Sequence, residues 1–111
     1  MRIYHNPRCT KSREALELLK SNGINPEVVL YLDNPPKAAE LSDLLKKLGI
    51  PAEDLVRKGE DEFAPFRGKK FTRLEWIQVL CEHPKLIERP IVVNGDRAIV
   101  ARPADRLLLI I

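Results

Sequence analysis

The 111-residue sequence predicts an α/β fold with a mixed central sheet of about four strands flanked by helices. Three observations predict it. A strand-like opening at Arg2 leads into a helical repeat and then into the β-branched run Glu27-Val28-Val29-Leu30-Tyr31, a β-α-β unit whose two strands must be parallel. A central block carries leucines at 3–4 spacing and reads as helices. Near the C-terminus two short apolar runs flank Asn94-Gly95, a strong hairpin signal, ahead of a last helix.

The elements follow in order. Arg2 to about His5 forms the first strand. The first helix runs from about Lys11 to Ser21, where Ala15, Leu16, Leu18 and Leu19 recur at helical spacing, and Asn22-Gly23 supplies a left-handed cap. Asp33-Asn34-Pro35-Pro36 ends the second strand. From Lys37 to Leu48 the residues Leu41, Leu44, Leu45 and Leu48 form an apolar stripe, and Gly49-Ile50-Pro51 stops that helix. Shorter helical pieces are expected at about Ala52 to Arg57 and Asp61 to Phe66. Thr72, with Glu75 three residues on, is a capping box for a helix through Leu74, Trp76, Ile77, Val79 and Leu80, which Pro84 ends. Pro90 to Val93 and Arg97 to Val100 are hairpin strands around Asn94-Gly95-Asp96, and a final helix starts near Pro103. The order β-α-β, helices, β-β-α is that of a thioredoxin-like domain. With no repeat, linker or low-complexity segment, residues 1–111 are expected to form a single domain.

Composition bounds the function. A chain of this length buries a sufficient core without disulfide or metal staples. The 19 Lys and Arg residues nearly balance 16 Asp and Glu, a net charge of +3, which argues against a nucleic-acid partner. Arg67-Gly68-Lys69-Lys70 is the one dense basic run and reads as a solvated loop. No apolar stretch approaches the ~20 residues of a membrane helix, so a soluble protein is expected. Cys9 and Cys81 lie far apart and the N-terminus lacks a secretory pattern, which points to the reducing cytoplasm.

Chemistry concentrates in Tyr4-His5-Asn6-Pro7-Arg8-Cys9-Thr10-Lys11-Ser12-Arg13. Cys9 falls in the turn from strand to helix, where the open N–H groups of a helix start favour an anion, either a thiolate or an oxyanion beside it. His5, Arg8, Lys11 and Arg13 are candidate sources of positive charge. Two readings of Cys9 stay open: a small, inert buried residue, or a partly exposed nucleophile activated by its surroundings. His5 is likewise either a structural residue at a strand end or a polariser of Cys9. Cys81 is expected to be core or semi-buried, since a resolving role requires disulfide reach to Cys9, and His83 reads as a helix-end cation. A C-x-x-C redox pair needs a cysteine where Ser12 stands, so no local disulfide can form and reducing equivalents must come from elsewhere, such as glutathione or a partner protein. One Cys and one His without further ligands at familiar spacing do not make a zinc site, and no phosphate-binding glycine loop is present.

The blocks His5-Asn6-Pro7-x-Cys9-x-x-Ser12-Arg13, Leu30-Tyr31-Leu32-x-Asn34-Pro35-Pro36, Leu55-Val56-Arg57-Lys58 and His83-Pro84-x-Leu86-Ile87-x-Arg89-Pro90-Ile91-Val92-Val93 resemble, in order and over nearly the whole chain, the glutaredoxin-coupled arsenate reductases. The resemblance implies a thioredoxin-like fold and reduction of arsenate to arsenite by a monomer in arsenical resistance. It implies no bound cofactor, glutathione as co-substrate and glutaredoxin as partner. By the same resemblance Cys9 is the nucleophile, His5 the histidine that assists it, and Arg57, Arg89 and Arg102 the three anion-binding arginines. Pro90 is then the cis-proline opposite the cysteine, with Thr10 and Ser12 supporting at the helix start. Arginine suits the task, because its planar fork holds oxyanion oxygens in pairs and stays charged. Arg89 and Arg102 each precede a proline, which favours extended backbone at element boundaries, where function commonly sits. The competing readings are a glutathione-dependent thiol/disulfide reductase of the same fold and an Spx-like RNA-polymerase-binding regulator. Redox-sensing members of that second group carry the C-x-x-C that Ser12 interrupts.

Overall fold

The computed structural model describes residues 1–111, and the chain divides into two compact units, residues 1–34 with 89–111 and residues 35–88. The first unit holds the sheet. β1 (Arg2–Tyr4) pairs in parallel with β2 (Glu27–Val29) and antiparallel with β3 (Ile91–Asn94), which pairs antiparallel with β4 (Arg97–Val100). The order β2-β1-β3-β4 is the mixed four-stranded sheet expected from the sequence, with parallel strands joined through α1 (Thr10–Ser21). Ile3 and Val92, on the two internal strands, pack with Ala15 and Leu19 of α1 and with Leu107 and Ile110 near the C-terminus. This is the unit's core.

Three details of this unit differ from expectation. β2 stops at Val29 rather than Tyr31, because the Leu30 carbonyl accepts the N–H groups of Asp33 (3.0 Å) and Asn34 (2.9 Å) and turns the chain. The hairpin loop is Gly95-Asp96, with Asn94 paired to Arg97 as the last strand residue. Gly95 occupies the first loop position with φ of 64°, which a two-residue hairpin turn needs and other residues resist. The final helix is a 3₁₀ segment, Ala104–Leu109, with Pro103 just outside it. Its i→i+3 bonds, Arg106 N–H to the Pro103 carbonyl and Ile110 N–H to the Leu107 carbonyl (both 3.1 Å), suit a segment too short for an α-helix of several turns. Asn94 Nδ2 then donates to the Ile110 carbonyl at 2.5 Å and ties the chain end to the hairpin.

The second unit is helical. α2 (Ala38–Leu48) buries Leu41, Leu44 and Leu45, and α3 (Arg73–Glu82) buries Trp76, Ile77, Val79 and Leu80. Leu74 was expected on that face but is 73% exposed. At about 100° per residue it falls on the flank beyond Ile77. Arg73 straps the helices together, donating to Ser42 Oγ (3.1 Å) and to the Ser42 carbonyl (3.0 Å). The pieces between them are the 3₁₀ turns Ala52–Leu55 and Asp61–Phe66, and Pro84–Leu86 follows α3. Phe63 stacks on Trp76 at 6.4 Å while Phe71 meets it edge-on at 4.9 Å. No helix of the chain is long and apolar enough to cross a membrane.

The capping box at the start of α3 is complete: Glu75 N–H donates to Thr72 Oγ1 (3.2 Å) and Thr72 N–H donates to Glu75 Oε1 (2.8 Å). Thr72→Ala removes one side of it and is expected to destabilise the protein by about 1 kcal/mol. Urea denaturation should show a lower midpoint at unchanged slope.

Candidate active site

Strand register gathers one end of the sheet. Tyr4 lies opposite Ile91 and Ile91 opposite Val100, so the residues after β1, before β3 and after β4 all leave the sheet at the same end. Those residues are His5–Cys9, Arg89-Pro90 and Ala101-Arg102. The Ala101 N–H donates to the Pro90 carbonyl at 2.9 Å, which joins two of the three segments directly. The Arg89–Pro90 peptide is cis, as the resemblance implied, and Arg102–Pro103 is cis as well.

The turn from β1 into α1 is built around Asn6. Its carbonyl accepts the Cys9 N–H (3.0 Å) and its Oδ1 accepts the Arg8 N–H (3.0 Å), closing a turn with Pro7 at the corner. Arg13 reaches back from the helix and donates to the Pro7 carbonyl (3.1 Å) and to Thr10 Oγ1 (3.2 Å). Cys9 is thereby the N-cap residue of a 12-residue helix, and its side chain makes no capping bond. The thiol is part-exposed, with the open N–H groups of the first helical turn next to it and no acidic residue in that turn. Such a position stabilises negative charge on the sulfur or on an oxyanion bound to it.

Ser12 and His5 lie behind this turn. Ser12 is fully buried, its Oγ accepts the Asn6 N–H (3.0 Å), and it sits 2.6 Å from His5 Nδ1. The arrangement is satisfied when the hydroxyl hydrogen points to Nδ1 of a neutral imidazole whose proton is on Nε2. Burial, followed by the charges of Lys20 and Arg13, holds the His5 pKa below its ordinary 6.5. Burial thus holds His5 toward the neutral form, so among the candidate sources of charge around Cys9 it is the one the structure works against. Its hydrogen-bond partner is Ser12. The residue that replaces the second cysteine of a C-x-x-C pair thus pins the turn that carries the first.

The two candidate anion-binding arginines of this unit are brought together. Arg102 Nη1 donates to the Arg89 carbonyl at 3.4 Å. Arg89 Nε and Nη1 are buried and have no hydrogen-bond partner in the protein. Buried N–H donors left without a partner are costly, and an anion that accepted from them would recover that cost. Arg57 belongs to the second unit, where Glu60 (2.8 Å) and Glu88 (3.5 Å) pair with its guanidinium. Its backbone is fixed by the short bridge between Val56 and Ile87, with Arg57 N–H donating to the Leu86 carbonyl (2.7 Å). Cys81, on α3, is half-buried, and burial followed by the neighbouring Glu82 carboxylate pushes its thiol pKa up. His83 Nδ1 lies 3.2 Å from Glu62.

A sheet in the order β2-β1-β3-β4, with a cysteine at the N-cap position of the helix after β1, makes this a thioredoxin-like protein. Comparison with known proteins narrows the class. Residues 4–110 match the model of the ArsC family. The chain is 48% identical over its full length to the uncharacterized protein YfgD of Escherichia coli (strain K12), covering 96% of that protein. It is 40% identical to an arsenate reductase of Neisseria meningitidis, over 96% of this chain and 94% of the relative. The solved structure of an arsenate reductase from Vibrio cholerae superposes with a TM-score of 0.95 at 39% identity, covering 100% of this chain and 98% of that one. The chain belongs to the ArsC family.

Asn6 is a positioning residue that the sequence reading did not single out. Its signal was present, since Asn-Pro is a turn initiator and Asn bonds its own backbone two residues on. What sequence does not reveal is that the same residue also donates to a serine on the next helix.

Two measurements check the site. Because the folded His5 binds its proton less readily than the unfolded one, the unfolded state takes up a proton first as pH falls. Stability should be fully present above about 6.5 and decline as pH drops from there toward the lowered folded-state pKa. In His5→Asn, which keeps an acceptor near Ser12, that part of the decline in melting temperature should vanish. Iodoacetamide labelling followed by peptide mass spectrometry should find Cys9 modified faster than Cys81 at neutral pH, given the raised Cys81 pKa. Equal rates would remove the distinction between the two thiols.

Proposed function

We infer that this chain is an arsenate reductase, with Cys9 as the nucleophile. The observation that carries the reading is the juxtaposition, at one end of the sheet, of a part-exposed thiol on a helix N-terminus and an Arg89 guanidinium whose buried Nε and Nη1 have no partner. The relatives named arsenate reductases support the oxyanion. Arg89 and Arg102 bind its oxygens in this reading, joined on the family resemblance by Arg57. His5, Ser12 and Thr10 hold the turn as positioning residues.

The reaction then runs in three stages. The Cys9 sulfur attacks arsenic(V), a sulfur–arsenic bond forms, and an arsenate oxygen leaves as water with the thiol proton. The open N–H groups of α1 and the arginines stabilise the charge on the remaining oxygens. Glutathione next adds to arsenic in the same way, with loss of a second water. A glutaredoxin thiol finally attacks the glutathione sulfur. That sulfur–arsenic bond breaks with its electron pair left on arsenic, so arsenic(V) becomes arsenic(III) while the two thiols become a mixed disulfide. Water hydrolyses the Cys9–arsenic(III) bond and releases arsenite. The two-electron balance needs two external thiols because Ser12 provides none. No bound cofactor takes part. We place the reaction in the reducing cytoplasm, where Cys9 stays a thiol, and the working unit is one chain.

The test is arsenite formation from arsenate with glutathione, in the presence and absence of glutaredoxin. Cys9→Ser should abolish turnover. Arg89→Lys should raise the KM for arsenate roughly 10- to 100-fold, the loss expected for a charge-assisted hydrogen bond, with an unchanged circular dichroism spectrum. Disulfide reduction without arsenite would instead assign a thiol reductase of the same fold.

A further inference from the structure

Beside the Cys9 turn lies a groove of about 300 Å³, walled on one side by His5 to Arg8 and on the other by Leu30, Leu32 and Asp33. That volume is at the lower end of the about 300–1,000 Å³ typical of small-ligand clefts. We propose that it seats the thiol co-substrate, with Asp33 and Arg8 taking the ammonium and a carboxylate of glutathione. The proposal rests on the arsenate-reductase reading of Cys9 and adds to it a binding place with its own residues.

The first wall is the turn that presents the nucleophile. The Asn6 carbonyl accepts the Cys9 N–H at 3.0 Å, which keeps the Cα atoms of the two residues within about 7 Å. A molecule lying along His5 to Arg8 is therefore a near neighbour of anything bonded to the Cys9 sulfur. The second wall is the loop after β2, made rigid by the two N–H groups that share the Leu30 carbonyl and by Tyr31, which is 1% exposed. Leu30 and Leu32, on either side of Tyr31, are each 37% exposed and offer apolar surface to the groove.

Charge selects the occupant. Arg8 and Asp33 are both exposed, and neither side chain forms an ion pair within the protein. One free cation and one free anion flanking a small apolar floor match a zwitterion, not the single-signed surface of an acidic or basic protein. Glutathione carries an ammonium, two carboxylates and a methylene chain between its ammonium-bearing carbon and its cysteine. The carboxylate suits the guanidinium fork of Arg8, the ammonium suits Asp33, and the methylenes suit Leu30 and Leu32. Bound so, its thiol adds to the arsenic on Cys9: a sulfur–arsenic bond forms, an arsenic–hydroxyl bond breaks, and the hydroxyl leaves as water with the thiol proton. No electrons transfer at this step.

Titration of ¹⁵N-labelled protein with S-methylglutathione isolates binding from chemistry, since the capped thiol cannot react and no arsenate is present. The amides of Asn6, Arg8, Leu30, Leu32 and Asp33 are expected to shift and saturate. Asp33→Asn should weaken binding about tenfold, and an analogue lacking the ammonium should bind wild type as weakly as it binds Asp33→Asn, the mark of a direct pair. In turnover, Asp33→Asn should raise the KM for glutathione while the KM for arsenate and the rate of Cys9 alkylation stay unchanged. Shifts confined to other residues, or full affinity in Asp33→Asn, overturn the proposal, as does a groove whose amides respond only to glutaredoxin. Arsenate turnover without these shifts leaves the reductase reading intact and removes the groove. Shifts without arsenate turnover do the reverse.

Discussion

The pairing of Arg2–Tyr4 with Ile91–Val93 joins the two ends of the sequence, and the chemistry depends on its register. Each strand is internal in the sheet, so each is held on both sides. Ile3 and Val92, opposite one another, are fully buried, and a slip of one residue would turn both toward the other face. With the register held, the Cys9 turn, Arg89 and Arg102 leave the sheet at one end. None of them has to be placed by its own local interactions alone.

The turn itself is a satisfied polar network with little slack. Ser12 Oγ is fully buried and engages both His5 Nδ1 and the Asn6 N–H, while Asn6 holds Arg8 and Cys9. Leaving the buried Ser12 Oγ or His5 Nδ1 unpaired costs about 1–3 kcal/mol, which is why the network favours a single turn conformation. A His5 held toward the neutral form is part of that economy, because a third cation beside Lys20 and Arg13 would repel both. The price is that the helix start has one thiol and no local partner for it. In the proposed reaction the electrons come from outside the chain.

Arg89 shows the opposite arrangement. Two of its guanidinium nitrogens, Nε and Nη1, are buried without partners, so the protein holds unpaired donors where an anion would accept from them. Arg57 is compensated by two glutamates and Arg13 is spent on the turn. Three guanidinium groups that look alike in a sequence therefore differ in how far they are already paired.

Local chemistry made much of this legible in the sequence. The helical stripes, the Thr72–Glu75 capping box, Gly95 in the hairpin and the Cys9 helix start all arise from neighbours within a few residues, and each stands in the structure. The order of these elements was enough for the fold class, and the sequence blocks for the family. Tertiary structure decided what depends on burial and on distant partners. It set His5 against Ser12 with a lowered pKa, left Arg89 Nε and Nη1 buried and unpaired, ended β2 at Val29, and turned Leu74 outward. The physical reason is that desolvation and hydrogen-bond satisfaction belong to a place in space, and residues such as Asn6 and Ser12 share that place only once the strand, turn and helix have packed.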